Sequence, residues 1–146
     1  MSFTQFQISA LNRHNELRAK HSAPPLVLDQ ELCVSAQKWA DTLLKWNRLQ
    51  HSTDKKYGEN LYYSSGMAVT GAAAVDSWYS EIKDYRHGEP SPSNFSQVGH
   101  FTQVVWKSTR KLGVGFAQQG STVFVVCTYD PRGNMMGTYP QNISIN

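Results

Sequence analysis

Cysteine is scarce in this chain: only Cys33 and Cys127 are present among 146 residues. Small secreted domains that depend on disulfides carry more cysteines, so the composition argues against a disulfide-built scaffold. Cys33 falls on an apolar helical stripe and Cys127 in a hydrophobic run, which predicts two buried and unreactive thiols. The thiols indicate a protein kept in a reducing compartment.

Long apolar runs are also missing. No stretch approaches the roughly 18 apolar residues of a membrane span, and residues 1–15 lack the apolar core of a signal peptide. Residue 2 is Ser, so the glycine needed for N-myristoylation is absent. We expect an intracellular protein, peripheral at most to a membrane. The alternative expectation is a secreted protein from which a signal peptide has been removed.

The charge balance is only mildly basic, with a net charge of +3 and a pI near 8.9. A nucleic-acid partner calls for a basic stripe, which the chain lacks, so that class is excluded. The cations instead form small groups: Lys45 with Arg48, Lys55 with Lys56, and Lys107 with Arg110 and Lys111. These groups indicate solvated faces, or contact with an anionic membrane surface or a sulfated glycan.

Local catalytic and metal motifs are absent: there is no HExxH, CxxC or Gly-x-Ser-x-Gly, and there are no internal repeats. The five histidines are too far apart for a zinc motif, so a site containing several of them must be assembled by the fold. The sequons at Asn94 and Asn142 are weak evidence of glycosylation, because about one arises by chance in a chain this long.

The first half of the chain has helical periodicity. Residues 5–20 predict a helix that ends before Pro24-Pro25, and Asp29 is a good N-cap for a second helix. The strongest stripe in the sequence belongs to that second helix: Leu32, Cys33, Ala36, Trp39, Ala40, Leu43 and Leu44.

The second half changes period. Residues 59–63 predict a short strand broken at Ser64-Ser65-Gly66, and a third helix is expected from Thr70 to about Lys83. On that helix Glu81 would lie about 60° from Trp78, at the edge of the apolar face.

Residues 87–99 predict a loop followed by a helix that begins at His100. The runs 112–117 and 122–129 predict a hairpin joined by residues 118–121, so the fold class is α+β.

Four motifs together resemble the CAP superfamily, which is named for cysteine-rich secretory, antigen 5 and pathogenesis-related 1 proteins. They are His14-Asn15-Glu-Leu-Arg18, Gly58-Glu59-Asn60-Leu61, Gly99-His-Phe-Thr-Gln-Val-Val-Trp-Lys-Ser-Thr and Cys127-Thr-Tyr-Asp-Pro-Arg-Gly133-Asn134, in the order of that family. The segments 78–83 and 112–115 resemble its non-secreted, Golgi-associated branch. The chain departs from the pattern at the missing myristoylation glycine and at Cys127, which lacks its usual partner.

The resemblance implies one domain over residues 1–146, an α-β-α sandwich with helices on both faces of a small antiparallel sheet. It also implies a cleft where His51, Glu59, Glu81 and His100 converge. Two imidazoles and two carboxylates are a reasonable ligand set for Zn²⁺ or another divalent ion, and the carboxylates would also orient the imidazoles. Metal affinity is then expected to fall as the pH drops through about 6.5.

Two classes of function follow. The favoured one is a binding module whose cleft and grooves hold a metal ion, a lipid or sterol, a membrane surface or a second copy in a homodimer. The alternative is a hydrolase in which a His–Glu pair activates a serine, Ser64 or Ser65, or a metal-bound water. The branch resembled would place the protein at the Golgi or other membranes.

Overall fold

The computed structural model describes residues 2–66 and 68–145 and has three layers. The helices are α1 (Gln5–Ala19), α2 (Gln30–Trp46), α3 (Gly71–Tyr79), α4 (Phe95–Val104) and α5 (Tyr139–Asn142), with a 3₁₀ segment, Ser80–Asp84, directly after α3. The strands are β1 (Val27–Leu28), β2 (Gly58–Ser65), β3 (Lys111–Gln119) and β4 (Thr122–Asp130). This is the predicted α-β-α sandwich: α2 covers one face of the sheet, and α1, α3 and α4 cover the other.

The strand order is β1-β3-β4-β2, antiparallel except for the parallel pair of β1 with β3. The predicted hairpin is confirmed as β3 and β4, and its connection is the two residues Gly120-Ser121, with Gly120 at φ 60°. The two-residue β1 was not predicted, because a strand so short carries no periodic signal.

Helix α2 lies unusually close to the sheet. A Cβ on Gly115 would be 2.4 Å from the carbonyl carbon of Ala36, and one on Gly113 would be 2.4 Å from that of Leu32. Both obstacles are backbone atoms, so only glycine permits this approach. The predicted N-cap is confirmed, since the Asp29 carboxylate accepts from the amide of Leu32 at 3.0 Å.

Two predicted boundaries are wrong. Strand β2 does not break at Ser64, because Ser64 and Ser65 continue the ladder opposite Val123 and Thr122. The third helix does not run as one α-helix to Lys83: α3 ends at Tyr79 and tightens into the 3₁₀ segment. The angle predicted for Glu81 assumed 3.6 residues per turn, which a 3₁₀ turn does not have.

The start of the fourth helix is also corrected. Helix α4 begins at Phe95, so residues 95–99 are helical and His100 is the sixth helical residue rather than the first. The turn-forming prolines and glycines fall mostly in residues 88–92. Gly99 lies within the helix, where a Cβ would come within 2.9 Å of the ring of Phe95. No helix among the described residues is long and apolar enough to cross a membrane.

Candidate functional site

His100 is held in one orientation by Glu81. The Nδ1 of His100 donates to Glu81 Oε2 at 2.8 Å, while Glu81 Oε1 accepts from the backbone amides of His100 and Phe101 at 2.9 and 3.0 Å. The indole of Trp78 lies parallel to the imidazole, with ring centroids 6.3 Å apart. A carboxylate only accepts hydrogen bonds, so Nδ1 carries the hydrogen and the neutral ring keeps a lone pair on Nε2.

His51 is arranged in the same way on the other side of the cleft. Its Nδ1 donates to Glu59 Oε1 at 2.8 Å, and the same oxygen accepts from the amide of Ser52 at 3.0 Å. The imidazole is 58% exposed, whereas the Glu59 side chain is only 14% exposed. Strand β2 therefore supplies a largely buried carboxylate, and the segment after α2 supplies an imidazole that hydrogen-bonds to it.

The structure brings three of the four predicted residues to one cavity. His51, Glu59 and His100 line a pocket of about 160 Å³, and Glu81 stands behind His100 rather than in the wall. Past Glu59 the cleft continues into pockets of about 260 and 180 Å³, bordered by Tyr57 and, in the larger one, by Arg132. Within the described ranges, no three His, Cys, Asp or Glu side chains are grouped so as to hold one metal ion.

A buried chain of hydrogen bonds supports the floor of the site. The Nδ1–H of His14 donates to the carbonyl of Ala10 at 2.8 Å, and the Tyr129 hydroxyl lies 2.7 Å from Nε2 of His14. The Asn60 amide donates to that hydroxyl at 3.2 Å and to the carbonyl of His100 at 3.1 Å. These bonds link α1, β4 and β2 to the residue that carries the imidazole.

The electrostatics of this chain follow from burial. Desolvation, assisted by the nearby Arg18 cation, lowers the pKa of His14 from 6.5 to about 4, so the ring is neutral at physiological pH. Burial also raises the pKa of Tyr129 well above its usual value. His14, Asn60 and Tyr129 all lie within the sequence motifs, but their role could not be predicted there, because the bonds that join them cross between elements far apart in sequence.

Two other motif residues hold the backbone around the cleft. Arg18 is fully buried, and among the described residues it donates only to backbone carbonyls, those of Pro24, Val104, Trp106 and Thr109, at 2.8–3.0 Å. Gln103 accepts from the amide of Gly133 at 2.9 Å and donates to Thr109. Both side chains are structural, since they fix the segments that follow α4 and β4.

The serines proposed from chain position do not reach this cleft. Ser65 pairs with Thr122, whereas Glu59 pairs with Thr128, so Ser64 and Ser65 lie toward the opposite end of β2. Six residues of strand separate Ser65 from Glu59 by about 20 Å. A different serine, Ser96 on α4, lines the same pocket as His100.

The cysteines are free and buried, as predicted. Cys33 lies on α2, and Cys127 belongs to the core cluster on the other side of the sheet. Burial raises the pKa of both thiols. At the two sequons, Asn94 donates to the carbonyl of Asp84 at 2.9 Å and Asn142 to that of Thr138 at 3.0 Å, so each side chain has a structural role.

An α-β-α sandwich whose cleft holds two carboxylate-anchored histidines defines the class of protein, and comparison with known families agrees. The model of the cysteine-rich secretory protein family, CAP, matches residues 11–129. The chain belongs to the CAP family.

Among curated relatives, the secreted protein RBT4 of Candida albicans is 47% identical over 145 residues, covering 94% of this chain and 38% of its own length. The Golgi-associated plant pathogenesis-related protein 1 of Homo sapiens is 42% identical over 146 residues, covering 95% and 92%. This chain therefore spans well under half of the first protein and nearly all of the second.

Two solved structures share the fold. The structure of NaASP2 with Zn²⁺ has a TM-score of 0.74 at 32% identity, covering 94% of this chain and 84% of that one. BmVAL-1 has a TM-score of 0.79 at 24% identity, covering 99% and 82%. These matches agree with the resemblance seen in the motifs.

Proposed function

We propose that the cleft is a binding site for a divalent transition-metal ion such as Zn²⁺, held by Nε2 of His51 and Nε2 of His100. The observation that carries the proposal is that both rings donate through Nδ1 to a carboxylate and both line one pocket. Neutral imidazole nitrogen is a preferred zinc ligand, and a carboxylate behind each ring is the usual supporting arrangement.

The donor set predicts the strength of the site. Glu59 and Glu81 already accept hydrogen bonds from imidazole and backbone, so they orient the rings, and the two imidazoles remain as protein ligands. Two protein ligands are fewer than the three or four of catalytic and structural zinc sites, so we expect weak to moderate affinity. When bound, the ion supplies a Lewis acid that holds a carbonyl or carboxylate of a further ligand.

A relative supports this assignment, because NaASP2 has been crystallised with Zn²⁺. In this function the protein is a binding module, and catalysis by the metal is not required. The adjoining pockets beyond Glu59 would accommodate the remainder of a ligand.

Native mass spectrometry with added Zn²⁺ tests the proposal. The parent should gain one zinc per chain, and His51→Ala and His100→Ala should each lose it. His87→Ala is the matched control, because His87 is an exposed histidine outside the cleft whose Nε2 bonds to the carbonyl of Ile143. An adduct that survives both cleft variants, or that His87→Ala removes, would contradict the site.

We also propose that the end of α2 docks on an anionic membrane surface. Residues 45–51 are all exposed and contain no acid, and their apolar side chains Trp46 and Leu49 are 45% and 49% exposed. The guanidinium of Arg48 lies 5.0 Å from the centroid of the Trp46 ring, and Lys45 precedes it. An exposed indole beside cations matches the interface of an anionic bilayer, where each cation contributes about 1 kcal/mol.

Sedimentation with vesicles tests this surface. Vesicles of phosphatidylcholine with phosphatidylserine should bind the parent at low salt, and Trp46→Ala/Leu49→Ala should bind several-fold less. Val27→Ala is the control, since Val27 is an exposed apolar residue outside this surface. Equal binding of parent and double variant would refute the proposal. Loss of self-association in light scattering, with vesicle binding unchanged, would assign the surface to a second copy instead.

A further inference from the structure

Ser96 shares a cavity with the oriented imidazole of His100. Both line the pocket of about 160 Å³, and they are four residues apart on α4. Residues at this spacing on a helix are neighbours with Cβ atoms about 6 Å apart, and helical side chains lean toward the N-terminus. This spacing therefore puts Ser96 and His100 on the same side of α4, where both border one cavity.

From this geometry we infer that Ser96 is a nucleophile activated by His100, so that the cleft contains a serine esterase centre. His100 is the general base, because its Nδ1–H donates to Glu81 at 2.8 Å and its Nε2 retains the lone pair. Glu81 and Trp78 act as positioning residues, the first through that hydrogen bond and the second through the parallel ring.

The first turn of α4 also offers donors for negative charge. The amide of Gln97 bonds to the carbonyl of Asn94 at 2.8 Å, whereas the amides of Phe95 and Ser96 have no acceptor among the described residues. The first amides of a helix lack intrahelical partners, and such N–H groups stabilise the oxyanion of an acyl transfer.

The reaction is an ordinary acyl transfer to water. Ser96 Oγ forms a bond to the carbonyl carbon of an ester while its proton moves to Nε2 of His100. The bond from carbon to the leaving alcohol breaks, and that proton passes to the alcohol. Water then attacks the acyl-serine, gives a proton to His100, and the acid leaves as Ser96 regains its hydrogen. The cavity size, beside the half-exposed ring of Phe95, favours short-chain carboxylic esters.

This centre shares Nε2 of His100 with the proposed metal site, but its chemistry needs no metal ion. One lone pair cannot serve a metal ion and a serine proton at the same time. Experiments on Ser96 are therefore done with a chelator present, and their outcome does not depend on whether Zn²⁺ binds.

Labelling with a fluorophosphonate in EDTA tests the inference. The Ser96 oxygen bonds to phosphorus, fluoride leaves, and the proton goes to His100, so peptide mapping should find one adduct per chain at Ser96. Ser96→Ala should take up none, and His100→Ala and Glu81→Gln should react at least tenfold more slowly. Ser65→Ala is the matched control and should react like the parent.

Hydrolysis of p-nitrophenyl butyrate should follow the same order among the variants. Ser96 is exposed, so its replacement should leave the fold intact, which circular dichroism checks. An unlabelled parent, an adduct on another residue, or equal labelling of Ser96→Ala would overturn the inference. Because the adduct is mapped on the parent itself, the mapping result does not depend on any variant folding.

Discussion

Replacing His14 by Gln should remove a specific acid sensitivity from the stability of this protein. His14 is fully buried and neutral, with Nδ1–H bonded to the carbonyl of Ala10 and Nε2 facing the hydroxyl of Tyr129. The Arg18 cation is the nearby charge that disfavours protonation. A proton on Nε2 would place a second cation in the core and force the Tyr129 hydroxyl to turn away.

The magnitude follows from the pKa of His14, about 4 in the folded protein against 6.5 for an ordinary histidine. Above pH 6.5 both states carry the neutral ring, and the group has no effect on the pH dependence of stability. As the pH falls from 6.5 to about 4, the unfolded chain takes up the proton and the folded chain does not. Stability therefore falls across that window, by about 3 kcal/mol in total, of which about 2 to 3 kcal/mol is lost by pH 4.5.

Urea denaturation at pH 7.5 and 4.5 measures this effect. His14→Gln cannot titrate, so its free energy of unfolding should depend less on pH. The Gln side chain can still donate to one partner and accept from the other, but replacing the buried ring should lower the free energy of unfolding. Other titrating groups are common to both proteins and cancel in the comparison. If the parent and His14→Gln lose the same free energy between the two pH values, the burial argument for His14 is refuted.

Three further predictions concern the groups around the cleft. Glu81→Gln presents an amide N–H to His100 and moves the ring hydrogen to Nε2, so calorimetric Zn²⁺ affinity should fall about 10- to 100-fold; a change below twofold would contradict the assigned tautomer. Arg18→Met removes a donor from four backbone carbonyls, three of them in buried bonds, although the Trp106 carbonyl still accepts from the amide of Thr109. The substitution should cost about 2–5 kcal/mol in urea unfolding, and a cost below about 1 kcal/mol would show that the carbonyls are readily satisfied otherwise. Gly115→Ala drives a methyl group into the backbone of Ala36 and should cost about 1–3 kcal/mol, seen as a lower melting temperature; an unchanged melting temperature would refute the close approach of α2.

Elements with a strong periodic signal were predictable from the sequence. The stripe of α2 is confirmed because one face of a long amphipathic helix must be buried whatever it packs against. The hairpin of β3 and β4 is confirmed because two β-rich apolar runs flank a turn with Gly120 in the left-handed region. The boundaries were wrong where tertiary contacts decide them: β4 extends β2 through Ser65, and α3 tightens after Tyr79.

The candidate site shows the same division. By itself the sequence determined the fold family, since this depends on local motifs in order along the chain, and the resemblance to that family implied the four candidate residues His51, Glu59, Glu81 and His100. Only the tertiary structure decided their roles, because hydrogen bonds between side chains from different elements bind each carboxylate to one imidazole. Glu81 then stands behind His100, whereas Glu59 lines the cavity together with both rings. The fold also brings Ser96, and not Ser65, to the cavity that His100 lines. The distance between two side chains depends on the elements that carry them, and the number of residues between a serine and a motif does not predict it.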